Sequence, residues 1–176
     1  MLNYLGFQLG WFACVLGAAK GWFALGPAVS ILLLAAHVST IGKENRRREC
    51  GRLLTIAAFG FTLECAALAF GAYRYVGTGL LPPAWIAALY VILAATLDSS
   101  LAWVGRRMLL AIVFGFIGGP LSFRAGVGLE AAEYLGPELR ANLILAVQWA
   151  VLFPVSFLIS RRFGKNSKNP SLPIAA

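Results

Sequence analysis

The chain has 176 residues, of which 60% are hydrophobic and only 12% charged, with a mean hydropathy of +0.78. A soluble domain is about one quarter charged, so this chain has too little polar side chain to coat a globule in water. The formal net charge of +8 could suit nucleic acid, but the aromatic residues that base stacking needs lie inside apolar runs, and no nucleic-acid partner is expected.

Six apolar runs approach or reach the roughly 17–20 residues that cross a bilayer core. The first, residues 4–19, carries Gly6, Gly10, Cys14 and Gly17, with Gly21 beyond, at spacings near four. That makes one small-residue face on which another helix can pack closely, from this chain or from a membrane-protein partner. Gln8 lies off this face and calls for an interhelical partner. The first residues lack the basic region of a signal peptide, so the first run is expected to be retained.

Lys20-Gly21-Trp22 reads as a turn, and Gly26-Pro27 opens the second run, residues 26–41, because proline is tolerated at the first helical position. The run Lys43-Glu44-Asn45-Arg46-Arg47-Arg48 reads as a basic loop suited to anionic headgroups. The third run, 53–73, has Glu64 near its middle. Residues 74–83 form a Gly- and Pro-rich connection, with Tyr73, Tyr75 and Trp85 suited to an interfacial belt.

The fourth run, 84–103, contains Asp98. The fifth begins at residue 108 and is irregular: Gly115, Gly118, Gly119 and Pro120 come in quick succession, then Arg124 interrupts it. Pro120 removes the amide that would bond the Phe116 carbonyl, which predicts a broken or kinked helix. Residues 127–140 read as an acidic loop with Glu130, Glu133 and Glu138, including at most one helical turn. The sixth run, 141–160, contains Gln148 and Pro154. Residues 161–176 read as a polar, disordered tail, leaving 1–160 as a single transmembrane domain.

Eleven basic residues fall in the loops after the second and fourth runs and in the tail, against Lys20, Arg74 and Arg140 in the other loops. This asymmetry predicts an all-α, multi-pass protein of six transmembrane helices with both termini cytoplasmic. No internal repeat marks an inverted-repeat transporter.

An aspartate deep in an apolar span costs about 2.5–3.5 kcal/mol, so ionisable groups there are candidates for function. For Glu64 and Asp98 the functional reading is a proton or cation site, or a ligand anchor. The structural one is a neutral acid hydrogen-bonded to its neighbours, for which Glu64→Gln would leave folding intact. By depth, His37, Asp98 and Gln8 fall in the cytoplasmic half, Glu64 near the middle, and Arg124 and Gln148 in the outer half. This permits a His37–Asp98 cluster and an ion pair of Glu64 with Arg124. His37 also reads as a hydrogen-bonded structural histidine near the interface, and Arg124 as an interfacial anchor.

Three cysteines without a CxxC, and one histidine, make neither a disulfide framework nor a metal site, and no cofactor motif is present. His37, Asp98 and Ser99 or Ser100 do not suit a catalytic triad, because adjacent helical residues point about 100° apart. The sequence leans away from an enzyme.

Three stretches carry a resemblance: 7–17 (FQLGWFACVLG), 96–101 (TLDSSL) and 118–126 (GGPLSFRAG). With them the chain resembles an uncharacterised family of small bacterial inner-membrane proteins, known as a domain of unknown function. Against that pattern Glu64 stands where an aspartate is usual, Asp98 where an asparagine is usual, and Ser99 where a histidine is usual. The resemblance implies a hydrogen-bonding role at position 98, an acid at position 64, and a link to membrane lipid.

The expected function is an accessory or binding component of the inner membrane, with Glu64, Asp98, His37, Arg124, Gln8 and Gln148 as candidates for a small polar site. Gly10, Gly17, Gly118, Gly119 and Pro120 are assigned to helix packing or the helix break. The alternatives are a small-solute transporter or its substrate-binding subunit, and then a membrane-embedded enzyme.

Overall fold

The computed structural model describes residues 2–77, 79 and 81–165. The elements follow in the order α1 (Leu2–Ala19), α2 (Leu25–Ser39), α3 (Lys43–Leu68), β1 (Tyr73–Tyr75), α4 (Ala84–Thr96), α5 (Ala102–Gly105), α6 (Met108–Gly128), β2 (Ala132–Tyr134) and α7 (Glu138–Lys165). Helix α4 packs against α1, α2 and α3; α3 packs on α7, and α7 on α6. Three helices, α3, α6 and α7, are long and apolar enough to cross a membrane, while α2 and α4 are apolar but shorter.

The chain departs from the sequence expectation at five places. The basic run at 43–48 is not a loop but the first turns of α3. Lys, Arg and Glu are good helix formers, and the Arg52 guanidinium clasps Glu49 three residues earlier on the same helix. At 26 residues and about 1.5 Å of rise each, α3 outreaches a hydrocarbon core of about 30 Å.

The run at 84–103 is not one helix. Thr96 turns its hydroxyl back onto the Leu93 carbonyl at 2.6 Å, and Ser99 onto Ala95 and Thr96. Such side chains compete with the helical ladder, so α4 ends at Thr96 and α5 is a separate turn. Asp98 stands in the connection, its side chain 57% exposed.

Pro120 does not break its helix, since α6 runs unbroken from Met108 to Gly128. A Cβ at Gly115 or Gly119 would collide with Trp149 of α7, at its backbone carbonyl and its ring respectively. The two helices therefore meet at backbone distance beside the turn that lacks an amide. A Cβ at Gly118 would meet nothing, so this glycine is not a packing position. At the end of the chain, α7 continues through Pro154 to Lys165; residues 166–176 of the expected tail lie outside the described residues.

The fifth departure is a pair of strands. β1 and β2 join antiparallel, with Tyr73 opposite Tyr134, Arg74 opposite Glu133 and Tyr75 opposite Ala132. Gly71, at φ +62°, turns the chain out of α3, and Gly77, at φ +75°, turns it away again. Glu130 takes the same left-handed conformation at φ +64°. There the Ala131 amide bonds back to the Gly126 carbonyl at 2.9 Å, closing the end of α6. Along β1 side chains alternate: Tyr73 and Tyr75 are buried while Arg74 faces out and pairs with Glu133.

Candidate functional site

Glu64 lies on α3, 2% exposed, and four donors converge on its carboxylate. The phenols of Tyr73 and Tyr75 donate to Oε1 at 2.8 and 2.6 Å. Tyr90, from α4, donates to Oε2 at 2.6 Å, and the Gln148 amide, from α7, donates to the same oxygen at 2.8 Å. A carboxylate offers about four lone-pair positions, so this one is fully engaged.

Each partner has a local reason for its place. The two-residue period of β1 turns Tyr73 and Tyr75 to the same side, toward the end of α3. Gly60, one turn before Glu64, gives the Tyr90 ring its room, since a Cβ there would run into that ring. Trp149 stacks on Tyr90 with centroids 6.1 Å apart. Burial, and then the Glu64 charge, push the phenols of Tyr73 and Tyr75 well above their ordinary value, which keeps them protonated as donors.

Beside this cluster is a cavity of about 80 Å³. Its walls come from α1, α4, α6 and α7, with Trp11, Trp85, Leu89, Phe123 and Leu145 among them, and its polar groups include Glu64, Tyr75 and Tyr90. The Trp11 indole donates to Ser122 Oγ at 3.1 Å across it. Gly126 lines the cavity and is buried, and a Cβ at this position would stand in open space. Among the described residues no Lys, Arg, His or Asp side chain lines it.

A second polar cluster ties the opposite ends of the helices. His37 Nε2–H donates to Glu49 Oε1 at 2.8 Å, and Arg52 grips both Glu49 oxygens, at 2.6 and 2.9 Å. The same guanidinium reaches the Ala94 carbonyl at 3.1 Å and Asp98 Oδ2 at 3.3 Å, and the Ser160 hydroxyl donates to Asp98 at 2.6 Å. Arg52 and Glu64 are twelve residues apart on α3, as are Gln148 and Ser160 on α7. The two clusters are thus about 18 Å apart along the helices.

The structure brings Glu64 and Gln148 together. His37 and Asp98 do not touch; Glu49 and Arg52 stand between them. The permitted Glu64–Arg124 pair is absent, because Arg124 faces outward and pairs with Glu138 at 3.6 Å. Gln8 bonds within α1, to the Tyr4 hydroxyl at 3.1 Å, not to another helix. Gly10 lies against Ile92 and Leu33, and Gly17 against the Trp22 carbonyl and Leu25. Among the described residues no three His, Cys, Asp or Glu side chains group as metal ligands.

Sequence reasoning missed Tyr73, Tyr75, Tyr90, Gly60, Glu49 and Arg52. The tyrosines beside the third run read equally well as an interfacial belt. A signal was available in Tyr73-Arg74-Tyr75, whose alternation is that of a strand with one buried face. Glu49 and Arg52 sit three apart, the spacing of a helical ion pair.

No curated protein and no solved structure matches the chain. A family model does match, over residues 1–155, and covers α1 to α6, the strand ladder, most of α7 and the four residues bonded to Glu64. The chain belongs to that family, the proteins of unknown function described as DUF2878.

Proposed function

We propose that this protein is a binding component of the bacterial inner membrane that holds a small apolar ligand, drawn from the membrane lipid phase, in the cavity beside Glu64. The observation that carries this reading is the cavity itself, bounded by aromatic and aliphatic side chains from four helices and by an organised polar wall. Pockets of this kind, apolar with a few fixed polar groups, are where small ligands bind. Glu64 serves as the organiser of that wall: it aligns Tyr75 and Tyr90, which line the cavity, and Tyr73 behind them.

The chain crosses the bilayer six times in this reading, through α1, α2, α3, the α4–α5 segment, α6 and α7, with both termini cytoplasmic. The distribution of basic residues supports that orientation. Three phenols and an amide hold both Glu64 oxygens at hydrogen-bond distance, which supports a wall-organising role for this carboxyl group. The geometry therefore favours binding over the transporter and enzyme alternatives.

The test is native mass spectrometry of the detergent-solubilised protein beside Gly126→Leu. A Cβ at this position meets no heavy atom within 4 Å, so leucine has room to start into the cavity that Gly126 lines, and it replaces a poor helix former with a good one. A bound small molecule or lipid on the wild type, absent from a variant of equal or higher melting temperature, supports the proposal. The same spectrum from both proteins sinks it.

A further inference from the structure

A second cleft, of about 420 Å³, runs between α1, α2 and α4. It is several times the volume of the cavity beside Glu64 and falls within the roughly 300–1,000 Å³ of ligand clefts. Phe7 lines both, but Glu64 and its four partners take no part in the larger one.

The lining of this cleft changes along its length. Asn3, His37, Thr40 and Thr96 lie at one end, where α1 begins and α2 and α4 stop. The Asn3 amide donates to Ser99 Oγ at 2.9 Å, which ties the start of α1 to the end of α4. At least a turn deeper along the same three helices, Leu9, Leu33 and Ile92 make an apolar wall. A cleft that is apolar in its depth and polar at one end fits an amphiphile.

The charge at the polar end comes from Arg46, in the first turns of α3. Its guanidinium donates to the Ile41 carbonyl at 3.0 Å and the Ser39 carbonyl at 3.2 Å, and so straddles Thr40 at the edge of the cleft. Those bonds use two of its five N–H groups. An arginine stays charged at any working pH, and a guanidinium with donors to spare suits phosphate. Within residues 43–48 four cations stand against one acid, Glu44. Among the described residues no Asp or Glu lines the cleft. The neighbouring acids are engaged elsewhere, Glu49 by His37 and Arg52, and Asp98 by Ser160 and Arg52.

We propose that this cleft is a site for one anionic phospholipid, with an acyl chain lying along α1, α2 and α4 and the headgroup phosphate on Arg46. Burial of apolar surface holds the chain. Permanent charge selects the head, at about fivefold in affinity per basic residue near a membrane surface. This site is separate from the cavity beside Glu64, and neither depends on the other.

Native mass spectrometry of the delipidated full-length protein would test it, with phosphatidylglycerol and phosphatidylcholine of identical chains titrated beside glycerol 3-phosphate. One phosphatidylglycerol should be retained more tightly than phosphatidylcholine, and glycerol 3-phosphate, which has no chain, should bind far more weakly. Arg46→Gln should weaken phosphatidylglycerol about fivefold and leave phosphatidylcholine unchanged. Arg107→Gln removes the same charge from an exposed residue just before α6, which lines no part of the cleft, and should change nothing. Gly6→Leu, at a lining glycine whose added Cβ would meet only Leu33 at 3.5 Å, should weaken both lipids. Equal losses in the two arginine variants would overturn the proposal in favour of diffuse surface charge. Glycerol 3-phosphate binding as tightly as the lipid would also overturn it, leaving an anion site without a chain. A lipid lost in Gly126→Leu but kept in Gly6→Leu would belong beside Glu64, which overturns this site and supports that one. If Gly6→Leu does not fold, the contrast between Arg46→Gln and Arg107→Gln decides.

Discussion

At the scale of single residues, Glu64 illustrates how a buried acid is accommodated. Its burial would be prohibitive alone, but three phenols and an amide supply every acceptor position with a donor. This revises the expectation that glutamine could stand in for it. Glu64→Gln turns one oxygen into an NH₂ group that faces two donors on whichever side it lies. We expect the variant to lose about 1–3 kcal/mol of stability, read as a lower melting temperature in detergent. A variant as stable as the wild type would mean that the tyrosines can reverse and accept at little cost. Gln148 shows the complementary constraint: its Nε2 faces Glu64, which leaves its Oε1 without a partner among the described residues. Arg52 carries the second cluster in a similar way, one buried cation joining residues of α3, α4 and α7.

At the scale of elements, α6 and α7 approach each other at backbone distance. Gly115 touches the backbone carbonyl of Trp149, where nothing flexible can yield, whereas Gly118, three residues on, faces open space. Gly115→Ala should therefore force the helices apart and cost about 1–3 kcal/mol, as overpacking does. Gly118→Ala should be neutral or slightly stabilising, since alanine is the better helix former by about 1 kcal/mol. Thermal unfolding of the two variants side by side checks the contrast, and equal effects would contradict the α6–α7 packing. The strand ladder matters at this scale too. It joins the connection after α3 to the one after α6, and through Tyr73 and Tyr75 it turns a loop contact into half of the carboxylate's hydrogen bonds.

At the scale of the whole molecule, the two polar clusters lie toward opposite ends of the helices, with apolar packing such as Ile56, Leu93, Leu97 and Leu152 buried in the core. The Arg52 cluster lies near the basic start of α3, and the Glu64 cluster near the strand ladder. If both termini are cytoplasmic, the ladder faces outward. Alkaline phosphatase fused after Gly79 should then be active and after Arg107 inactive, with a fluorescent protein giving the opposite pattern. The reversed pattern would invert the orientation, and activity at both points would remove a crossing between them.

Composition and spacing by themselves determined that the chain is helical and apolar, roughly where α1, α2 and α6 begin and end, and that Glu64 and Gln148 are exceptional. Those properties are local. An apolar run needs only its own residues to be recognised, and a polar group inside one stands out because its desolvation must be offset. The same local reasoning misread the backbone around Asp98 and the basic run, because hydropathy records where charge is and not whether the chain stays helical around it. At Pro120 the missing amide is visible in the sequence, whereas the continuity of α6 through that position, beside the α7 backbone, is not. Only the tertiary structure decided what surrounds Glu64. Tyr73 pairs with Tyr134 across 61 residues of chain, and Gln148 reaches Glu64 across 84. Contacts so distant in sequence leave no periodicity to read, and they alone turn an isolated acid into the wall of a cavity.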